Sequence, residues 1–307
     1  MSHNHNHSHG HHHHQVDLES GDKRVIAAVG VNLILTLAQI VAGVISGSLA
    51  LIADAIHNLS DALSLVIAFA ARRIGRRPAD DRMTFGYGRA EVVAALINYT
   101  TLIVIAVYLA AEGAQRLFNP VEVEGWLVVV VAGLALVIDT VTALLIFRMS
   151  KDSVNMRAAF LHNLADAMGS VAVIIAGTLI LLYDWRLIDP IVTIGIAAYI
   201  LWHSWIGIRP VISILMLASP DAPRVTDILA ALTAVEGVGS VHHLHLWQMQ
   251  EHETSLEVHV VLNGDREEAA VKRNIRDVLQ EQYAISHVVL ETETEADQCA
   301  HANVVGH

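Results

Sequence analysis

Charged residues are scarce in this chain, and the shortage is confined to one part of it. Asp, Glu, Lys and Arg make up 16% of the 307 residues, hydrophobic residues make up 54%, and the mean hydropathy is +0.48. A soluble domain carries about 25% charged residues, so this balance indicates a membrane protein. Residues 219–307 hold 15 Asp and Glu against 5 Lys and Arg, which is −10 of the net −12, so the preceding two thirds are nearly neutral.

Several other features are missing, and each absence removes a class of function. The one cysteine, Cys299, excludes an intramolecular disulfide framework. The excess of acidic residues gives no electrostatic case for nucleic-acid binding. The sequence has no G-x-x-x-x-G-K-[ST] run, the phosphate-binding loop that ATP-driven transport would need. It also has no H-E-x-x-H motif for a zinc protease. Its N-terminus is polar and His-rich rather than basic and then apolar, so we expect no cleavable signal peptide.

Long apolar runs dominate the first two thirds of the chain. A helix needs about 20 apolar residues to cross a hydrocarbon core, and six runs reach that length. The runs lie at 25–47, 49–71, 90–112, 125–148, 156–183 and 188–212. The connections between several of them are short, which predicts antiparallel neighbours in an all-α transmembrane domain of six helices.

The distribution of Lys and Arg predicts the orientation of these helices. Basic residues precede the first run and fill the connections between runs 2 and 3 and between runs 4 and 5. The opposite side has only Arg116 and Arg186. Cytoplasmic loops carry the excess of Lys and Arg, so we expect an integral, multi-pass protein with both termini in the cytoplasm. The compact chain with short loops favours a bacterial inner membrane.

The last third has the pattern of a small soluble domain. After "LASPDAP" (217–223), two amphipathic helical segments and three alternating strand segments follow in the order αββαβ. This order predicts an α+β domain of the ferredoxin-like kind. A domain of about 80 residues can fold alone and gains from dimerisation. The predicted boundaries are 1–22 for a His-rich disordered tail, 23–215 for the transmembrane domain, 216–296 for the cytoplasmic domain and 297–307 for a C-terminal tail.

The N-terminal tail is unusual in its own right. Its first 14 residues contain eight histidines and cannot build a core. Two interpretations stay open, namely an expression tag and a natural tail that raises the local metal concentration. The irregular alternation of His with Asn and Ser favours the natural tail.

The most informative feature is a repeat inside the apolar runs. The pattern His-Asn-Leu-x-Asp occurs twice, 105 residues apart. Residues i and i+4 lie on one helix face about 6 Å apart, so His57 projects with Asp61, and His162 projects with Asp166. Ionisable groups at membrane depth cost several kcal/mol unless they are paired or solvated, which makes them functional candidates. Two imidazoles and two carboxylates would form a four-coordinate site that suits Zn²⁺.

Structural roles compete with this interpretation. A lone intramembrane His or Asp can simply hydrogen-bond a neighbouring helix, although a matched second pair favours a site. Asp54 precedes His57 by one turn and is either a vestibule carboxylate near the outer mouth or a cap of the second helix. Asp139 has no partner in the sequence, and its role stays open.

The charge of a His₂Asp₂ site indicates how it would work. Zn²⁺ with two carboxylates is neutral and therefore tolerable in a medium of low dielectric constant. Without the metal, two bare anions remain, which is costly. Protons are the natural replacement because they compete with metal for the same ligands and histidine titrates near neutrality. The sequence therefore predicts exchange of metal for protons, driven by the proton gradient.

Together these residues resemble the cation diffusion facilitators, in particular their zinc-transporting branch. The resemblance rests on the His-rich start and on the segments "GSLALIADAIHNLSDA", "RRPADDRMTFGYGRAE", "NMRAAFLHNLADAMGSV" and "VHHLHLWQMQEHETSLEVHVV". It implies a homodimeric antiporter that moves zinc, with cadmium or other transition metals as further candidates, out of the cytoplasm in exchange for protons. It places the transport ligands at His57, Asp61, His162 and Asp166.

The resemblance also implies a metal site in the cytoplasmic domain, holding a regulatory or structural zinc ion. The matching positions are His242 on the first predicted strand, His259 on the second, and His287 with Glu293 on the last. Strand alternation places His287 and Glu293 on one face. The competing interpretation is a set of surface histidines on an acidic domain.

The C-terminal tail offers a weaker likeness. Cys299 with His301 resembles the terminal Cys/His pair of some family members. One cysteine cannot reproduce a two-cysteine motif, so neither residue is predicted as a ligand.

Two other function classes fit intramembrane His and Asp less well. A metalloenzyme needs an open coordination position and a general base, whereas four protein ligands would close the coordination sphere. A passive channel needs weak binding at several sites, whereas a four-ligand site binds tightly. A membrane-anchored metal sensor could coexist with transport through the acidic domain. The chain is therefore predicted to be a transporter and not an enzyme.

Overall fold

The computed structural model describes residues 18–147, 154–250, 253–264 and 266–306, so the His-rich stretch at 1–14 lies outside the described part. Six long helices come first in the described part of the chain. They are α1 Leu18–Ser46, α2 Leu49–Gly75, α3 Ala90–Phe118, α4 Gly125–Phe147, α5 Val154–Tyr183 and α6 Ile188–Leu215. The six predicted apolar runs coincide with these helices to within a few residues at most ends.

Five of these helices are long and apolar enough to cross a membrane. Within the described residues, they are α2, α3, α4 as far as Leu144, α5 from Leu164, and α6. The apolar part of α1 that has been described, Leu33–Ser46, is shorter than a full span. The chain is thus a multi-span membrane protein by the length and composition of its helices.

The exposed surface of the helices is apolar and their interior contains polar groups. Large side chains such as Phe69 (71% exposed) and Trp202 (64% exposed) point outward, while Gln39 and Ser170 are fully buried. A water-soluble protein rarely exposes so much contiguous apolar surface. A lipid environment explains both observations, because the hydrocarbon solvates the outer side chains and the polar groups must find partners inside.

The start of α2 is fixed by a carboxylate from the start of α6. The backbone N–H groups of Leu49 and Ala50 donate to Asp189 at 2.9 and 3.3 Å, and the Ser48 hydroxyl donates to the same carboxylate. These bonds satisfy N–H groups that a helix leaves without internal partners. Asp189 therefore caps α2, and Asp54, which lies in the second turn, does not.

The C-terminal part folds as two helices and a three-stranded sheet, an α+β arrangement. It consists of α7 Val225–Thr233, β1 Val238–Gln250, β2 Glu253–Leu262, α8 Glu268–Tyr283 and β3 His287–Glu293. The order αββαβ is the predicted one. The sheet runs β1-β2-β3, with β1 antiparallel to β2 and β2 parallel to β3. The two helices pack their apolar faces on the sheet. Leu232 of α7, Ile275 of α8 and Leu256 of β2 belong to this core, and each is fully buried.

Backbone contacts divide the chain into two compact units. The first unit contains the described residues up to Ala62 together with Arg116–Val192, and α4 packs there against α5 and α1. The second unit contains Leu63–Gln115 and the chain from Thr193 onward. In this second unit the Arg89 guanidinium donates to the carbonyl of Met249 at 3.1 Å, which connects the segment before α3 to the end of β1.

Candidate functional site

The first candidate site lies in the first unit, where α2 meets α5. His57 Nε2 on α2 is 3.3 Å from Asp166 Oδ1 on α5, and the two side chains are 15% and 10% exposed. One residue comes from each copy of the His-Asn-Leu-x-Asp repeat. The structure therefore brings the two halves of the repeat together across two helices, which the sequence pattern alone could not establish.

The other two predicted ligands in this region are described by their backbone only. Asp61 lies one helical turn after His57 on α2, and His162 lies one turn before Asp166 on α5. Their side chains lie outside the described residues. The described part of this candidate site is thus one imidazole nitrogen and one carboxylate oxygen, both largely buried, a pair that can bind Zn²⁺ or a related divalent metal.

The second candidate site lies in the C-terminal part and depends on an irregularity of β1. His242 pairs with His259 across the β1–β2 ladder, and the register shifts before the next pair, His245 with Glu257. His243 falls within this bulge and adopts φ = 47°, a left-handed conformation that is uncommon outside glycine. Because a bulge re-aims side chains, two consecutive histidines can serve one cluster here.

The chain end completes this cluster. Backbone N–H groups of His243 and Leu244 donate to the carbonyls of Asn303 and Val304, both at 2.9 Å, so residues after β3 return to the bulge. Ligand atoms of four side chains then lie within 4.8 Å of one another. These side chains are His242, His243, His259 and Cys299. A tetrahedral zinc with bonds of about 2.0–2.3 Å spaces its ligands about 3.3–3.8 Å apart, so a small contraction would enclose one ion.

Glu293 contacts two histidines of the cluster. Its carboxylate is 3.2 Å from His242 Nε2 and accepts a 2.7 Å hydrogen bond from His259 Nδ1. His242 is 1% exposed, and neither of its ring nitrogens makes a hydrogen bond of acceptable geometry. Buried polar atoms normally have partners, so these nitrogens fit a bound metal. Glu291, at the adjacent position on the strand face, lies 3.5 Å from His259 Nε2.

Hydrogen bonds to Glu293 affect two acid groups in opposite directions. Burial raises the pKa of the Glu293 carboxyl, but hydrogen bonds from His259 and Cys299 outweigh it and hold the pKa below its ordinary value. The hydrogen bond to Glu293 raises the pKa of the Cys299 thiol, and burial adds to the effect. Without metal the sulfur is therefore protonated, and metal binding there would release a proton.

His287 is not part of this cluster in the described chain. It is exposed at the opposite end of β3, about 20 Å along the strand from Glu293. Its ring meets Phe85 edge-on with centroids 6.0 Å apart. Strand alternation correctly places the two residues on one face, but a shared face does not make them neighbours.

Sequence reasoning missed three members of the cluster. Glu291 had a usable signal, because it alternates with Glu293 on β3. His243 had none, since a bulge cannot be read from a pattern of alternating residues. Cys299 was set aside because it lacked a second cysteine, whereas the structure supplies histidines as its neighbours.

Comparison with family models covers most of the chain. Residues 25–216 match the cation efflux transmembrane domain. Residues 220–295 match the cytoplasmic domain of cation efflux proteins.

Individual relatives align over nearly their whole length. The metal cation efflux system protein CzcD of Cupriavidus metallidurans is 34% identical over 272 residues, covering 87% of this chain and 86% of the relative. The zinc transporter ZitB of Pectobacterium atrosepticum is 35% identical over 278 residues, covering 90% and 87%. The solved metal-bound C-terminal domain of C. metallidurans CzcD matches 24% of this chain and 99% of that domain at 29% identity, with a TM-score of 0.22.

Membrane-spanning helices that carry a buried His–carboxylate pair, followed by a small cytoplasmic domain, define a class of membrane metal-cation transporters. The chain belongs to the cation efflux family, the cation diffusion facilitators. It is therefore a metal-cation efflux transporter and not an enzyme.

Proposed function

We propose that this transporter exports zinc from the cytoplasm in exchange for protons, through a site formed by His57, Asp61, His162 and Asp166. The observation that carries the proposal is the 3.3 Å approach of His57 on α2 to Asp166 on α5. An isolated structural pair would explain one contact, but it would not explain why each residue has a His or Asp partner one turn away in the same repeat.

The direction of the helices supports the four-residue site. Successive membrane helices alternate in direction, so α2 and α5 run antiparallel. When His57 is level with Asp166, a step of one turn forward on α2 and one turn back on α5 brings Asp61 and His162 to a common level. The two levels together offer two imidazoles and two carboxylates, which is a complete tetrahedral set for Zn²⁺.

Charge neutrality supports proton exchange. Two carboxylates balance the dication, and their charges need replacement after release into a medium of low dielectric constant. Imidazole and carboxylate bind protons and metal in competition. The Bacillus subtilis relative, 33% identical over 263 residues and 84% of each chain, is named a cadmium, cobalt and zinc antiporter against protons and potassium. We extend the proton part to this chain, with cadmium and cobalt as secondary substrates.

The second candidate site has a separate role in this proposal. We call it the C-terminal cluster, and it consists of His242, His243, His259, Glu291, Glu293 and Cys299. It binds zinc from the cytoplasm through His242, His259 and Glu293, with Cys299 as an additional ligand, and serves regulation or stability rather than transport. The protein acts as a homodimer through its small cytoplasmic domain, in a bacterial inner membrane with both termini in the cytoplasm. The excess of basic residues in the predicted cytoplasmic loops supports this orientation.

Reconstitution into liposomes tests the proposal. With a zinc-sensitive dye inside and an imposed pH gradient, zinc entry should saturate with concentration and stop when the gradient is dissipated. Asp166→Ala should abolish the gradient-driven entry. Asp184→Asn is the matched control, because Asp184 is exposed and its φ of 51° is one that asparagine tolerates.

A channel and an exchanger predict different time courses of zinc entry into the liposomes. Zinc entry that rises linearly with concentration and ignores the pH gradient would identify a channel and contradict the proposal. Gradient-driven zinc entry that persists in Asp166→Ala would contradict the proposed site while leaving the exchange intact.

A further inference from the structure

A second group of polar side chains is buried in the first unit, close to His57 and Asp166, which we call the metal-binding pair. It consists of Gln39 on α1, Asp54 on α2, Asp139 on α4 and Ser170 on α5, which are 0, 3, 7 and 0% exposed. Four helices thus each contribute one polar side chain to one connected, buried group. Asp54 is three residues from His57 and Ser170 is four residues from Asp166, so the group lies about one helical turn from the metal-binding pair.

The contacts within this group form a chain. Gln39 Nε2 donates to Asp54 Oδ2 at 2.9 Å. Ser170 Oγ lies 3.4 Å from Asp54 Oδ2 and also 3.4 Å from Asp139 Oδ2. One hydroxyl therefore bridges two carboxyl groups, and we call Asp54, Ser170 and Asp139 the bridged triad.

The bridged triad favours one bound proton. A serine hydroxyl has one hydrogen and can donate to one carboxylate at a time. Two separate hydrogen bonds form together when the other carboxyl is protonated and donates to Ser170 Oγ. Two carboxylates in apolar surroundings also repel each other, and such pairs hold a shared proton. The geometry accommodates one proton, and a shift of both hydrogens transfers it between Asp139 and Asp54.

Gln39 gives an independent sign that a mobile donor belongs here. Its Nε2 is used by Asp54, but its Oε1 is buried and has no hydrogen-bond partner. An unsatisfied buried acceptor costs about 1–3 kcal/mol. A water molecule or a hydronium entering the group would supply the missing donor.

Gly169 on α5 leaves room for the Asp54 carboxylate. A Cβ at Gly169 would lie 2.9 Å from Asp54 Oδ1. That distance is shorter than an unstrained contact, so any larger residue would displace the carboxylate. The close approach of α5 to Asp54 therefore depends on a glycine at this position.

A metal ion fits this group poorly. Hard cations such as Ca²⁺ take six to eight oxygen ligands, and here one of the four residues turns an N–H toward Asp54. Among the side chains that the structure describes, the charged and titratable groups that face Asp54 are Asp139, His57 and Asp166. The described part of α1 from Leu33 to Ser46 has no titratable side chain, and Asp189 is occupied at the start of α2.

We propose that the bridged triad is a proton-binding site separate from the metal ligands, which releases its proton when zinc binds next to it and takes one up when zinc leaves. The inference rests on the proposed zinc–proton exchange and assigns one of the exchanged protons to named residues. Zinc at His57 and Asp166 places two positive charges about one turn away, and this field expels the proton from the triad. The proton leaves from an Asp54 or Asp139 carboxyl, and the carboxylate it leaves offsets part of the metal charge.

Calorimetry counts the protons. Zinc is titrated into the purified full-length protein in two buffers of different ionisation enthalpy, between about pH 6 and 8, and the difference in heat gives the protons released per zinc. Asp139→Asn should release about one proton fewer than the wild type and still bind zinc at the intramembrane site. Asp184→Asn, the same chemical change at an exposed residue, should match the wild type.

A second variant covers the case in which Asp139→Asn does not fold. Ser170→Ala removes only the bridging hydroxyl and keeps both carboxyls. Its gradient-driven zinc transport should fall about 10-fold or more, while its zinc affinity stays within about threefold of the wild type.

The outcomes separate the inference from the proposed function. Wild-type protein that transports zinc without moving protons would contradict the proposed exchange itself. Wild-type exchange with an unchanged proton count in Asp139→Asn, or unchanged transport in Ser170→Ala, would overturn the inference alone. Loss of zinc binding in Asp139→Asn would also overturn it, because the triad would then belong to the metal site.

Discussion

The two candidate metal sites of this protein use similar side chains but are built in different ways. His57 and Asp166 meet because two helices pack with one copy of a repeat on each. His242 and His259 meet because strand register pairs them, and Cys299 joins them because the chain end returns to a bulge in β1. Helical periodicity governs the first site, whereas long-range register governs the second.

The clusters also differ in ligand chemistry. The intramembrane pair offers nitrogen and oxygen, and the C-terminal cluster adds a sulfur. Thiolate sulfur favours tight binding of zinc and softer metals. Nitrogen and oxygen ligands that also accept protons suit a site that must release its cargo. This difference in ligands supports the proposed roles, which are transport at the membrane site and retention at the C-terminal cluster.

The largest expected effect follows from removing the carboxylate of the membrane site. Asp166→Asn should weaken zinc binding at that site by more than about 100-fold, because the amide cannot neutralise the dication in apolar surroundings. The C-terminal cluster should still bind zinc. Equilibrium dialysis of full-length protein should show loss of one class of zinc site. Loss of both classes would mean that the clusters are not independent.

Glu293→Gln is the corresponding change in the other cluster. Glu293 contacts both His242 and His259, so the affinity of the C-terminal cluster should fall by about 10- to 100-fold. Zinc transport at saturating concentration should persist. Abolished transport, with zinc still bound in the membrane, would make this cluster part of the transport cycle.

Cys299→Ser tests whether the sulfur is a ligand. With Co²⁺ in place of zinc, the wild type should show a thiolate-to-cobalt charge-transfer band that disappears in the variant, and zinc affinity should fall about 10-fold. The serine keeps the size of the side chain. An unchanged cobalt spectrum would remove Cys299 from the cluster.

The smallest effect is expected at His287. His287→Ala should change zinc affinity by no more than about twofold, since surface substitutions stay within about 0.5 kcal/mol. Isothermal titration of the full-length protein measures this. A loss as large as that of Glu293→Gln would show that His287 reaches a metal, by an arrangement that a single chain does not provide.

The accuracy of prediction from sequence differed between the two regions for physical reasons. Helix positions and the order αββαβ follow from local periodicity, and both were confirmed. That His57 and Asp166 belong to one candidate site could be predicted because a repeat marks both helices, although only the structure shows their contact. The membership of Cys299 and His243 could not, because it depends on a bulge and on contacts between residues 60 positions apart.

Asp54 shows the same limit within the membrane. The sequence left a choice between a vestibule residue and a helix cap, and the cap is provided by Asp189 instead. The buried contacts of Asp54 come from Gln39 and Ser170 on two other helices, and Ser170 connects it to Asp139 on a third. No pattern within one helix could have predicted that assembly.

X-ray absorption at the zinc edge tests the central claim most directly. Full-length protein with Glu293→Gln and Cys299→Ser, loaded with one zinc, leaves the membrane site as the binding site. We expect two imidazole nitrogens and two carboxylate oxygens at about 2.0–2.1 Å and no sulfur, and loss of this signal in Asp166→Asn. A sulfur ligand, a single imidazole, or a signal unchanged by Asp166→Asn would contradict a His57–Asp61–His162–Asp166 transport site.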